Sequence, residues 1–137
     1  MKKLSKKADF DSLPVFLDFI RESSEKAGID TEGVSDIILS SEEILVNIIS
    51  YAYKGGAGDV EIVCYPTDEN RGICITFIDN GIPFNTLEAS EPDLSLPLED
   101  RKIGGLGIHI VKNLMNEVKY DRTDGKNILT IVKNASV

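Results

Sequence analysis

The sequence predicts an α+β fold, a two-layer sandwich with a mainly antiparallel, mixed sheet and helices on one face. Three observations predict it. Two N-terminal segments carry apolar residues at helical spacing, two pairs of short alternating segments read as hairpins, and the helices lie outside those pairs in sequence. At 137 residues and 42 % apolar content, the chain is long enough for one core and too short for two ordinary ones. Residues 1–137 are expected to form a single domain with no repeat and no linker.

The chain opens on a short basic and polar stretch. Asp11 or Ser12 then caps a helix with Pro14 in its first turn; Leu13, Phe16, Leu17 and Ile20 give it an apolar face, and Gly28 stops it. Asp30 or Thr31 opens a longer helix in which Ile37, Ile38, Ile44, Leu45, Ile48, Ile49 and Ala52 recur at helical spacing until Gly55-Gly56. Strands are expected near 59–65 and 72–79, joined by the polar turn from Pro66 to Arg71. Within them, Ile73, Ile75 and Phe77 share a face with Asp79, and Val60, Ile62 and Cys64 face the same core. Cys74 falls on the opposite face, so the two thiols should not pair.

From Gly81 to Gly104 no periodicity survives, and Pro83, Pro92 and Pro97 stand among acidic residues. Loops of more than about 15 residues inside a compact domain are usually functional or disordered, so residues 82–103 read as a mobile lid. Ile108, Val111, Leu114 and Met115 then form a helix face. Val118 to Arg122 and Asn127 to Lys133 close the chain as a hairpin around Asp124-Gly125.

Charge and composition exclude several functions. A formal net charge of −8 opposes a nucleic-acid partner, which requires a basic footprint. No apolar run approaches about 18 residues and the N-terminal lysines lack an apolar signal core, so a cytoplasmic protein without membrane attachment is expected. Cys64 and Cys74 have neither metal-ligand spacing nor a neighbouring Cys/His cluster.

Three segments carry chemistry. Asp36, Ser40, Glu43, Asn47 and Ser50 are spaced four, three, four and three along the second helix and form one polar stripe. Alone, such a stripe suits a solvated face equally well. Its functional reading makes the Asn47 carbonyl oxygen a ligand for Mg²⁺, a hard cation that keeps several waters, and Glu43 a proton acceptor one turn away. Glu42 lies about 100° around the helix and is off the stripe.

Asp79 ends a strand at the edge of an apolar surface, where a carboxylate can accept the exocyclic amine of adenine. Gly81 would let the backbone approach the base. An ordinary Asp-Asn-Gly turn is the alternative, opposed by Ile82-Pro83-Phe84, which do not return as a strand. Gly104-Gly105-Leu106-Gly107 leads into the apolar third helix and would present amide N–H groups to phosphates, or serve as a plain connector. The Walker and dinucleotide patterns are both absent there. His109, the only histidine, is read as structural.

The segments SEEILVNIISYAY, IDNGIPF and GGLGIHIVKNLMNEV resemble the asparagine box and the two glycine boxes of the ATPase superfamily that joins gyrase, heat-shock chaperones, histidine kinases and mismatch-repair ATPases. Within it, the chain is similar to the small stand-alone anti-sigma-factor serine kinases, from about Leu13 to Lys133. The resemblance implies a Bergerat-type ATP-binding fold. It implies Glu43 as general base, Asn47 as magnesium ligand, Asp79 as the adenine-reading acid, Gly81 beneath the base, and Gly105 and Gly107 on the phosphates. Thr130 would help bind adenine through water. Two positions depart from the family: Tyr51-Ala52-Tyr53 replaces His-Ala-Tyr, and no residue is in register with the lid arginine, Arg101 or Lys102 being nearest.

The branch also rests on what the sequence lacks. The sole histidine lies inside the glycine box, where it cannot serve as a phosphoacceptor on a dimerisation helix, and the length leaves no room for the second domain of chaperones and topoisomerases. The resemblance thus implies ATP and Mg²⁺ as cofactors, an anti-sigma-factor antagonist as protein substrate, a sigma factor as second partner, and a homodimer. A non-catalytic, nucleotide-gated binding switch is the alternative, and Glu43 favours the kinase because a pure binder needs no base.

Overall fold

The computed structural model describes residues 1–54, 56–67, 71–85 and 105–135. Its elements run in the order β1 (Lys2–Lys7), α1 (Leu13–Lys26), α2 (Thr31–Asn47), a π-helical turn (Ile48–Ala52), β2 (Asp59–Pro66), β3 (Gly72–Asp79), α3 (Gly105–Leu114), β4 (Glu117–Thr123) and β5 (Lys126–Asn134). The five strands form one sheet in the order β1-β2-β3-β5-β4. All four pairings are antiparallel.

Each helix boundary has a local cause. Asp30 caps α2 by accepting the Gly33 N–H at 2.8 Å. Ser12 occupies the corresponding position of α1 without a side-chain cap; the Asp9 carboxylate instead accepts the Ser12 N–H at 2.9 Å. Gly28, at φ 84, supplies the left-handed residue beyond α1. The closing hairpin turns at Asp124 and Gly125 with φ of 54 and 77, the two positive values that a type I′ turn requires.

The core lies between the helices and one sheet face. Phe16 and Ile20 of α1, Ile37 and Leu45 of α2, and Ile108 and Val111 of α3 meet Ile62, Ile75, Phe77 and Ile131 there. Strand parity follows the expectation: Val60, Ile62, Cys64, Ile73, Ile75 and Phe77 join this cluster, whereas Cys74 is buried outside it. Both cysteines are free.

Two features differ from the sequence reading. The basic N-terminal stretch is an edge strand, β1, paired with β2 from Lys2↔Cys64 to Lys7↔Asp59. Only Leu4 of this strand packs against the core, so the strand has no apolar alternation to betray it, and its lysines discourage further edge pairing. The second helix also changes winding: α-helical bonding ends at Asn47, and a π turn carries the chain to Ala52. Such turns are frequent at functional sites.

Candidate functional site

The ends of β3 and β5 place two buried polar residues side by side. Asp79 and Asn127 are direct partners in the antiparallel ladder, at 3 % and 5 % exposure. A carboxylate so far from water requires donors. Asp79 Oδ1 accepts from the Gly81 N–H and from Asn127 Nδ2, each at 2.9 Å. Asn127 Nδ2 also donates to the Ile82 carbonyl at 2.7 Å. The Asn127 Oδ1 accepts from the Phe84 N–H at 3.3 Å, from Arg122 Nη1 at 3.1 Å and from the Tyr120 hydroxyl. Arg122 Nη1 donates as well to the Gly81 carbonyl at 2.8 Å. The Asp79-to-Phe84 turn is thus stapled to the β4–β5 hairpin.

The second helix reaches this corner through Asn47. Asn47 is buried, at 6 % exposure. It lines a cavity with Ile44, Asp79, Phe84, Tyr120 and Asn127. Glu43, one turn earlier, is half-buried, while Glu42 is exposed. The polar stripe is therefore not a solvated face: Ser40 is fully buried, its hydroxyl unpaired among the described residues. The cavity measures about 30 Å³, room for a water or two.

Aromatic residues of the π turn hold the wall of this cavity. The rings of Tyr51 and Phe84 lie 6.1 Å apart at 38°. The Tyr53 hydroxyl donates to the Asp59 carbonyl at 2.5 Å and accepts the Asn80 N–H at 2.9 Å, joining the starts of β2 and the end of β3. Burial pushes the Tyr53 phenol above its usual range, against the opposing pull of the Asn80 N–H. Gly58 makes room for this ring, since an added Cβ would sit 2.1 Å from Tyr53 Cε1. Gly81 has a steric reason that the sequence did not reveal: a Cβ there would lie 2.2 Å from the Ala52 carbonyl oxygen.

Gly105 opens α3 and Gly107 follows in its first turn, where N–H groups have no intrahelical acceptor. Gly104, Arg101, Lys102 and the lid residues 86–103 lie outside the described residues. His109 Nε2 is buried without a partner among the described residues. Thr130 is not brought to Asp79: it pairs with Thr76 on the opposite sheet face, hydroxyls 3.3 Å apart. Asn127, three residues earlier, stands beside the carboxylate, because strand parity turns positions 127, 129 and 131 inward. The sequence reading missed Asn127; the signal was its facing position to Asp79 once the hairpin register is set. A larger cavity of about 220 Å³ lies at the other end of the sheet, lined by Lys2, Lys26 and Cys64, away from this constellation.

Residues 7–133 match the histidine kinase-like ATPase domain family. The chain belongs to that family. Among curated relatives, the serine/threonine-protein kinase BtrW of Bordetella bronchiseptica is 29 % identical over 101 residues, 73 % of this chain and 70 % of BtrW. The serine-protein kinase RsbW of Bacillus cereus is 29 % identical over 110 residues, 77 % of this chain and 68 % of RsbW. The fold is shared with the solved RsbU and RsbW domains of Rv1364c from Mycobacterium tuberculosis, at TM-score 0.62 and 15 % identity, over 98 % of this chain and 32 % of that one. It is shared too with the blue-light activated histidine kinase EL346 of Erythrobacter litoralis, at TM-score 0.58 and 19 % identity, over 79 % of this chain and 32 % of that one. Among the described residues, no helix of this ATPase-family domain is long and apolar enough to cross a membrane.

Proposed function

We propose that this domain is an ATP-dependent serine/threonine protein kinase of the anti-sigma-factor type. Its protein substrate is a serine of an anti-sigma-factor antagonist, its second partner a sigma factor, and its working form a cytoplasmic homodimer. The observation that carries the reading is the meeting of a buried Asp79 carboxylate and a buried Asn47 amide in one cavity. The kinase names of the relatives BtrW and RsbW support it.

In this reading Asp79 accepts the adenine amine and Gly81 closes the turn beside it. The N–H groups at the start of α3, at Gly105, Leu106 and Gly107 with Gly104 before them, face the phosphates, and Arg101 or Lys102 adds charge near the γ-phosphate. Asn47 fits a magnesium ligand: its carbonyl oxygen is a hard donor, and the described residues contain no acidic or His/Cys cluster that would cage a metal unaided. Magnesium bound there would neutralise phosphate charge. Glu43 takes the proton of the attacking serine as the new P–O bond forms at the γ-phosphorus and ADP leaves with the electrons of the broken bridge.

Transfer of labelled γ-phosphate from Mg-ATP to candidate antagonist proteins tests the reading. Asn47→Ala should weaken Mg-ATP binding, whereas Glu43→Ala should bind normally and lose roughly 10²-fold or more in transfer rate. Equal loss of binding in both variants would end this division of roles. ATP binding without transfer to any candidate would instead favour the non-catalytic switch.

A further inference from the structure

We infer that Asn127 sets base selectivity at this site, by occupying Asp79 Oδ1 so that the carboxylate offers the base a single acceptor, which suits adenine and denies guanine its two-donor edge. The inference rests on the nucleotide reading above. Asn127 is a positioning residue and not a direct reader, because its amide has no capacity left for a ligand. Both of its N–H donors are used, on Asp79 Oδ1 at 2.9 Å and the Ile82 carbonyl at 2.7 Å. Its oxygen already accepts from Phe84, Arg122 and Tyr120.

The selectivity follows from the pairing edges of the two purines. Adenine presents one amine donor beside an acceptor nitrogen. Guanine presents an N–H and an amine side by side, a pair that a carboxylate with both oxygens open would accept together, as it accepts the fork of an arginine. Here Oδ1 already holds two donors, the Gly81 N–H and Asn127 Nδ2. Guanine in that pose would bury one donor without a partner, which polar sites penalise heavily. Guanine in the adenine pose fares no better, since its carbonyl oxygen would then face the carboxylate. The residue type matters: at the ladder position facing Asp79, an aliphatic side chain would donate nothing and an acid would repel.

The test compares Mg-ATP and Mg-GTP affinities by calorimetry in the full chain. The ratio of two ligands on one protein cancels any general loss of folded fraction. The wild type should prefer ATP, and Asn127→Ala should reduce that preference about tenfold or more by freeing Oδ1. Asn127→Asp, nearly isosteric, provides a second reading that a purely structural role would not move. At low pH a proton shared between the two carboxylates keeps Oδ1 engaged and the preference intact; at higher pH both ionise and the preference falls. The ionisable groups around that pair are Arg122 and Tyr120 from β4 and Tyr53 from the π turn. A preference unchanged in Asn127→Ala, and flat with pH in Asn127→Asp, would overturn the inference while leaving ATP binding standing. A wild type that bound neither nucleotide would overturn the nucleotide reading itself.

Discussion

Gly81→Ala separates two reasons for the same glycine. The sequence motif suggests that Gly81 clears space for a base, whereas the fold shows its Cα against the backbone of the π turn. An alanine Cβ would stand 2.2 Å from the Ala52 oxygen, 2.6 Å from its carbonyl carbon and 2.7 Å from its Cβ. Restoring ordinary contact requires a displacement of about 1 Å, and the nearest two neighbours are backbone atoms, with a Cβ fixed to that backbone as the third, so none can swing aside. The Ile82 N–H donates to that same Ala52 oxygen at 2.9 Å, so the displacement strains a second bond. Overpacking of this kind costs about 1–3 kcal/mol and a weakened hydrogen bond about 1 kcal/mol, together about 2–4 kcal/mol. For a domain of this size that lowers the melting temperature by roughly 10 °C. Urea denaturation of the ligand-free protein should show the loss as an earlier midpoint at unchanged slope. A variant as stable as the wild type that nevertheless failed to bind ATP would refute the packing argument and return Gly81 to the base.

Two further outcomes are expected. Tyr53→Phe removes the hydroxyl between Asp59 and Asn80 and should cost about 1–2 kcal/mol, with faster hydrogen exchange at the Asn80 N–H; unchanged stability and exchange would show that the bridge contributes nothing. Burial pushes the Cys64 thiol up to about 11, so in a Cys74→Ala background the native protein should resist thiol reagents at pH 8, and rapid labelling there would contradict the packing. Because the folded value lies above the unfolded one of about 8.5, this contribution to stability is complete below pH about 8.5 and lost as the pH rises toward 11. Comparing the alkaline stability slope with Cys64→Val isolates it.

Legibility in the sequence tracked how strongly each element's pattern is tied to burial. β2 and β3 alternate because one face is packed, and their inward residues could be named one by one. β1 is an edge strand that buries little besides Leu4, so in sequence it reads only as a short basic and polar stretch. The site divided in the same way. Asp79 and Asn47 stand in local motifs, while Asn127 acquires its place only from the pairing of strands 48 residues apart in the chain. Thr130 looked suitable by type and lies one step out of phase with the inward positions.

The small volume beside Asn47 bears on the timing of ligand exchange. Its wall is the turn that Asn127 and Arg122 hold from behind and Phe84 closes against Tyr51. If a nucleotide binds here as proposed above, any opening of this turn that its entry requires lowers the association rate below that of a preformed site. Each 1.4 kcal/mol of opening free energy weakens apparent affinity about tenfold without altering a single contact in the occupied state. Departure must cross the same gate. Under the nucleotide reading proposed above, a tighter staple between this turn and the β4–β5 hairpin would slow loading and release together.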